Sequence, residues 1–442
     1  MKRLLLVAPV VVLLFIGLAC EKEGSEVTSA PAFVLIYYDG HMHTTYSDGT
    51  GTVQDIKATA LRRGLSAVIV TDHCAELTRA KWEALVADTA AASDPGTFLA
   101  LPGFEITGNE GIFNRSHFLA FNVSDPFVGD DANELCPEEV WPDPPNPAGT
   151  GPTYPENLAK WADYIHSNGG IAVHCHTSGS TRLEYGVDDI EVYNQSNVDD
   201  IFRYVRLLGY GGKPALALAR TLSDLAIYGE RDLNTPISLG GQSVPLRLAV
   251  YTATKMLTGV GQWLGSPEAP LNSWDQLLMA YVNGTTDKPI FGVANSDAHN
   301  TAELDSNVGI AKNGLYVKAL TAEDVYEAIK AGRSFATTGP SLAFEVNGEM
   351  MGGTAHIASG GSANLKLSVN SENATAALTK IDIIKNGEVW RTISPNQPTY
   401  EDTLVDDSVT ENGYYRVEVT SYEQPSDAYY FAWSNPVFVN VP

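Results

Sequence analysis

Two periods of apolar residues organise the chain from Tyr37 onward. Val53, Ile56 and Ala60 recur at helical spacing behind Thr52, a good capping residue, and Gly64 closes the run, so a helix is predicted over 53–63. A short β-branched strand over 66–70 follows, then a helix over 81–92, a strand over 98–101 and another over 116–123. The pattern continues with a helix over 155–167 that stops at Asn168-Gly169-Gly170, a strand over 171–175 and one over 189–193. Strand and helix in alternation indicate an α/β domain with parallel strands.

Between Asn197 and Asp287 the alternation gives way to apolar helical stretches over 215–228, 246–257 and 274–282, read as a helical insertion at about 197–287. Its apolar residues, Trp263, Trp274 and Leu278 among them, suit either a cover over a substrate or a self-packed subdomain. The α/β frame resumes with a strand over 290–294 and closes with a helix starting at Thr321, where Asp324 holds the capping-box position. After Gly339-Pro340 only strand periods remain, with a hairpin turning through Lys385-Asn386-Gly387-Glu388. Residues 341–442 therefore read as an all-β, sandwich-like module.

Composition narrows the function classes. The chain has 442 residues, 44% of them hydrophobic, enough to build more than one domain around large cores. With 28 Lys+Arg against 53 Asp+Glu the net charge is −25, so no nucleic-acid partner is expected. Four cysteines without a CxxC are too few for a disulfide framework. The first twenty residues stand apart. Lys2 and Arg3 lead into an uncharged run over 4–19, shorter than a bilayer span, which ends at Cys20. This looks like a signal peptide over 1–20 with Cys20 as the lipid-carrying cysteine of a bacterial lipoprotein, although Gly17 stands where an aliphatic residue is usual. Ordinary secretion and an uncleaved anchor are the other readings. Residues 21–36 then form a tether, and the expected location is the bacterial cell envelope, lipid-anchored and facing the periplasm or the outer membrane.

Candidate chemistry gathers at the predicted strand ends. His41 and His43 share one face of a strand and can converge on one ion, with Asp39 before them and Asp48 after. Asp72 and His73 follow the strand over 66–70, Glu105 follows 98–101, and His117 opens 116–123. His174 and His176 share a face at the end of 171–175, and Asp297 and His299 follow 290–294. Ligands delivered from successive parallel strand ends meet at the mouth of a barrel. Asp39 and Asp72 are expected to orient imidazoles rather than to coordinate. Cys74 and Cys175 are expected to point away from the metals, while His166 and His356 read as structural. Arg115, Arg182 and Arg333 are cations able to clasp an anionic substrate, and Arg333 also ends a helix, where a base suits the dipole.

In these elements the sequence resembles the polymerase and histidinol phosphatase (PHP) superfamily of metal-dependent hydrolases and, within it, the carbaryl-hydrolase-like (CehA/McbA) branch. The resemblance implies a distorted (β/α)7 barrel over 37–340, with two or three divalent ions, Zn, Mn or Fe, as cofactors. It implies that His41, His43, Glu105 and Asp297 hold one ion and Asp48, His73 and His299 a second, with Glu105 bridging to a third completed by His117 and His176. Asp48 stands where many members have histidine, and His176-Thr177 replaces the usual His-Pro. The position after Gly169-Gly170 favours His176 as the ligand, leaving His174 as a supporting group, a swapped ligand or an acid–base residue. Catalytic roles are expected for His174, Arg182 and Arg115.

Three such ions against Asp48, Glu105 and Asp297 would leave the pocket net positive inside an acidic protein, which suits hydrolysis of a phosphoester by metal-activated hydroxide. The same ions can polarise a carbamate or carboxylic ester, and a non-catalytic lipoprotein that binds a metal or ligand is the alternative from another class. A small-molecule substrate is the expected partner, with the β-module free to contact a surface polymer or protein.

Overall fold

The computed structural model describes residues 33–107, 117–123, 154–175, 185–194, 236–239, 242–245, 271–304, 306–424 and 428–442. Cys20, Arg115, His176 and Arg182 lie outside them, as do the signal segment, residues 21–32 and the helical stretches expected over 215–228 and 246–257. The tether expected over 21–36 is corrected at its end, where Val34, Leu35 and Ile36 already belong to a strand paired in the sheet.

The α/β frame begins with β1 (Val34–Asp39), α1 (Val53–Arg62), β2 (Ala67–Val70), α2 (Arg79–Ala92), β3 (Leu99–Thr107) and β4 (His117–Phe121). It continues through α3 (Tyr154–Ser167), β5 (Ile171–Cys175) and β6 (Asp189–Asn194). The local reasons are those of the sequence. Thr52 accepts from the Asp55 amide while the Asp55 side chain accepts from the Thr52 amide, and Val53, Ile56 and Ala60 are buried on one face of α1. Gly64 follows at φ +73°, a backbone conformation that costs glycine nothing.

The expected insertion holds more than helix. Its described residues are a hairpin, β7 (Pro236–Leu239) with β8 (Gln242–Pro245), and α4 (Leu271–Val282). Gly240-Gly241 between the two strands is the two-residue hairpin signal that the apolar periodicity hides. Trp274 and Leu278 are buried with the frame, and Trp274 donates its Nε1–H to the Ile290 carbonyl at 2.9 Å. These two residues of α4 are therefore core rather than cover.

β9 (Phe291–Asn295), β10 (Lys312–Val317), α5 (Ala322–Lys330) and β11 (Ser334–Thr337) complete the frame. Its strands run in the order β11-β10-β1-β2-β3-β4-β5-β6-β9. The expectation of parallel strands holds for β1-β2-β3 and for β5-β6-β9, but β4 is antiparallel to both neighbours and β10 to β1. Only nine residues separate Thr107 from His117. A parallel crossover needs a dozen or more, so β4 must double back. Beyond the strand ends, Met42 forms a parallel bridge with Ala298 and the His43 amide donates to the Ala298 carbonyl at 2.9 Å, bringing the chain after β1 and the chain after β9 together.

From Ser341 onward the chain is all strand: β12 (Ser341–Val346), β13 (Glu349–Met350), β14 (Thr354–His356), β15 (Gly361–Asn370), β16 (Ala376–Lys385), β17 (Glu388–Ile393), β18 (Thr399–Val409), β19 (Gly413–Glu423), β20 (Ala428–Ser434) and β21 (Val437–Asn440). The hairpin between β16 and β17 turns at Asn386 and Gly387, both at positive φ. One four-stranded sheet, β13-β12-β15-β18, shares an apolar core with the sheet containing β16, β19 and β21. That second sheet is continuous with the frame, because β20 pairs with β11, and Phe335 of β11 lies in the module's core.

Candidate metal centre

The centre is assembled by four strand ends and the loops that leave them. After β1 the chain curls back on itself. The Gly49 amide donates to the Thr44 carbonyl at 2.9 Å, and a Cβ on Gly49 would stand 2.2 Å from the His43 carbonyl oxygen, so only glycine fits this turn. Asp72 braces the same loop by accepting from the amides of Thr44 and Ser47 and from both hydroxyls. Asp39 accepts from the amides of His41, Ser296 and Gly309. Both acids order backbone, where the sequence suggested they would orient imidazoles. Burial pushes the Asp39 carboxyl up to about 6.

Glu105 lies inside β3 rather than after it, opposite Leu119 and bridged to His73. Its Oε2 is 3.4 Å from His41 Nε2, 3.4 Å from His43 Nε2 and 3.1 Å from His73 Nδ1. Its Oε1 accepts from His117 Nδ1 at 2.6 Å. Asp297, just past β9, adopts φ +53° and aims Oδ1 to within 3.3 Å of the Nε2 atoms of both His41 and His43. At the outer side Asp48 Oδ2 stands 3.3 Å from His299 Nε2 and 3.6 Å from His73 Nε2, and its Oδ1 is 3.6 Å from His43 Nδ1. The His299 Nδ1 donates to the Asp297 carbonyl at 3.0 Å, leaving Nε2 as the ring's available lone pair.

Two of the ligand groups that result share His43. His41, His43 and Glu105 form a fully buried one, and His43, Asp48, His73 and His299 form one that opens outward. The side chain of Asp48 is 47% exposed and that of His299 38%, against none for His41 and His43. The sequence-predicted set is thus brought together at His41, His43, Asp48, His73, Glu105, His117, Asp297 and His299.

His43 provides the test of fit. It is fully buried, yet neither ring nitrogen makes a hydrogen bond. Leaving such groups bare is costly. Its contacts of 3.3–3.4 Å with Asp297 and Glu105 are long for hydrogen bonds but match about 3.3–3.4 Å, the separation of two ligands of one tetrahedral ion at 2.0–2.1 Å. A divalent cation fits this donor set.

The electrostatics agree. Burial opposes charge on His41, but Asp297, Glu105 and Glu191 outweigh it and hold the ring well above its ordinary pKa. Burial dominates His43 and lowers it, against the Asp297 and Glu105 carboxylates. For His299 the Asp48 carboxylate overcomes burial and raises the ring to about 9, while His299 and His73 hold Asp48 well below the carboxylate range against its own burial. The cluster attracts positive charge that protons or metal ions can supply.

Two contributors were not foreseen. Glu191, from the middle of β6, places Oε1 2.9 Å from His41 Nδ1 and is itself held by Asn194 and Asn295. An acid alternating with Asp189 in an otherwise apolar strand was the available signal. Cys175 points inward, its Sγ 3.6 Å from Glu105 Oε1, and groups with His41 and Glu191. This overturns the outward orientation expected for it, because β5 places Cys175 opposite His117.

His174 accordingly faces the other way. It is buried beside Phe118 and Tyr185, at ring distances of 5.3 and 5.5 Å, and the structure does not bring it to the cluster. Arg333 is engaged with Glu327 and the Phe33 ring. His166 pairs with Asp188 and His356 sits near Asn440, as structural residues would. Cys74 is disulfide-bonded, to a cysteine outside the described residues.

No family model matches the chain. It is 32% identical over 136 residues to an uncharacterized protein of Chlamydia pneumoniae, covering 27% of this chain and about a fifth (21%) of that relative's length. Among solved structures, a two-domain protein from Bacteroides vulgatus containing a predicted PHP-like metal-dependent phosphoesterase aligns over 95% of this chain and 99% of its own, at 12% identity and a TM-score of 0.39. An amidohydrolase from Chromobacterium violaceum with bound sulfate aligns over 38% of this chain and 81% of its own, at 18% identity and a TM-score of 0.25.

Proposed function

We propose that this protein is a metal-dependent hydrolase of the PHP type, its strands β1 to β6 and β9 forming the distorted barrel and its centre holding at least two divalent ions. The observation that carries the reading is His43, buried and without a hydrogen bond at the junction of both ligand groups. His41, His43, Glu105 and Asp297 would hold the inner ion, and Asp48, His73 and His299 the outer. His117 and Cys175 border Glu105 on its far side, where His176 would join a third. Zn, Mn and Fe all suit imidazole with carboxylate. Bound ions of this kind lower the pKa of water and polarise a phosphoryl or carbonyl oxygen.

The chain's own residues do the positioning. Glu191 fixes the ring of His41, Glu105 fixes His117, and the Asp297 carbonyl fixes His299, so these three imidazoles each have one nitrogen committed. Substrate approaches from the side of Asp48 and His299, the exposed members. A phosphoester is the first choice, since a cationic centre stabilises its developing charge; Arg115 and Arg182 remain the proposed clasps. The protein is placed in the cell envelope by lipid on Cys20. Purified protein should turn over nitrophenyl phosphate faster than nitrophenyl acetate, and His43→Ala should abolish both. Faster ester cleavage would transfer the reading to a carboxylic ester or carbamate. Absence of turnover at full metal content would favour the binding protein.

A further inference from the structure

The last strand of the frame has an open edge. Among the described residues β9 pairs with a strand, β6, on one side only, and five residues after Gly292 the chain delivers Asp297 and then His299. The backbone groups on its other edge are nevertheless satisfied, by two side-chain amides. Asn313 of β10 accepts from the Ala294 amide at 2.8 Å and donates to the Ala294 carbonyl at 2.7 Å. Asn435, in the turn between β20 and β21, accepts from the Gly292 amide at 2.8 Å and donates to its carbonyl at 3.3 Å. Gly292 and Ala294 are two residues apart and so present their amides on the same edge. The two asparagines imitate the paired donor and acceptor of a neighbouring strand, and both are fully buried.

Asn435 is itself held in place. Its amide donates to the Ser334 carbonyl at 3.2 Å and its Nδ2 also donates to the Ser334 hydroxyl at 2.8 Å. Trp433, two residues earlier, packs its ring 5.7 Å from that of Tyr193 at the end of β6. Against one face of β9 at Gly292 lies Trp274; a Cβ there would approach its ring to 2.8 Å. β9 is thus gripped between α4 and a turn of the C-terminal module.

We propose that Asn435 is a positioning residue for the metal centre, fixing the register and height of β9 and through them Asp297 and His299, so that the C-terminal module is part of the site's scaffold. The proposal rests on the metal-site reading above. Losing both of its hydrogen bonds to Gly292 frees the edge of β9 there, and the displacement is felt at the ligands a few residues on.

The test uses the full-length protein and Co(II) as a visible probe. Asn435→Ala should weaken Co(II) binding by about 10–100-fold and change the ligand-field spectrum, the scale seen when groups behind metal ligands are removed. Asn435→Asp keeps the acceptor for the Gly292 amide and should fall between. Asn347→Ala, in the module's β12–β13 turn where Asn347 accepts from the Asn364 amide, is the structural control and should leave binding and spectrum unchanged. Hydrogen exchange of the 291–299 peptide should accelerate in Asn435→Ala alone. Unchanged exchange there, or a control that loses Co(II) affinity in step, overturns the proposal, and so does a folded Asn435→Asp that binds as wild type. If wild type binds no Co(II), the metal reading fails, and the exchange measurement still decides whether Asn435 holds β9.

Discussion

Glu191 Oε1 lies 2.9 Å from His41 Nδ1, with both side chains fully buried. The carboxylate orients the ring and makes Nε2 more basic, on the side where Glu105 and Asp297 converge. Glu191→Gln keeps the shape and removes the charge. Metal affinity should drop about 10–100-fold with the fold intact. Isothermal titration of the metal-free variant measures this, and an unchanged affinity would show that Glu191 does not support His41.

Arg416 and Asp275 join α4 to the module. The guanidinium donates to both carboxylate oxygens, at 2.8 and 2.7 Å, and Tyr414 donates to the same carboxylate at 2.6 Å. Both charges are buried; without Asp275 the guanidinium keeps Glu418, at 2.6 Å, but loses two hydrogen bonds, and Tyr414 loses its acceptor. Asp275→Ala should cost about 3–5 kcal/mol in urea unfolding. A loss below about 1 kcal/mol would mean that Glu418 compensates Arg416 and that the pair with Asp275 contributes little.

Asp188 links acid stability to the floor of the frame. Burial raises its pKa, but His166 at 2.7 Å and Lys288 at 2.8 Å outweigh that and hold it below the ordinary carboxylate value. A depressed pKa in the folded state contributes stability that is present above the unfolded value, about 3.9, and is lost as pH falls through the folded one. The stability difference between wild type and Asp188→Asn should therefore be largest above about pH 4 and shrink below it. A difference that grows on acidification would contradict the pairing.

Cys20→Ser bears on the proposed anchor. The variant should leave the membrane fraction or accumulate unprocessed, and persistent lipid labelling would rule out Cys20 as the attachment point.

Much of this site could be read from residue spacing, and the misreadings have physical causes. His41, His43, His73, Asp297 and His299 stand next to strands that the β-branched runs mark, so their convergence follows from the order of the strands. Glu191 carries no such motif; its role depends on β6 lying beside β9 and facing β1, which are long-range facts. The inward turn of Cys175 was missed because the alternation was phased to turn His174 and His176 inward, whereas the pairing with β4 sets Cys175 opposite His117. The direction of β4 was available from the nine-residue gap before it, had loop length been weighed against the alternation of helices and strands. That the module completes an edge of the frame could not be read locally, since Gly292 and Asn435 are 143 residues apart.

The most direct test of the metal centre is stoichiometry. Metal-stripped wild type, reloaded with Zn, Mn or Fe and measured by plasma emission, should hold at least two ions per chain and regain hydrolysis in proportion to loading, while His43→Ala should hold fewer and hydrolyse nothing. Wild type that binds less than one ion, or His43→Ala that binds and hydrolyses as wild type does, would contradict the assignment.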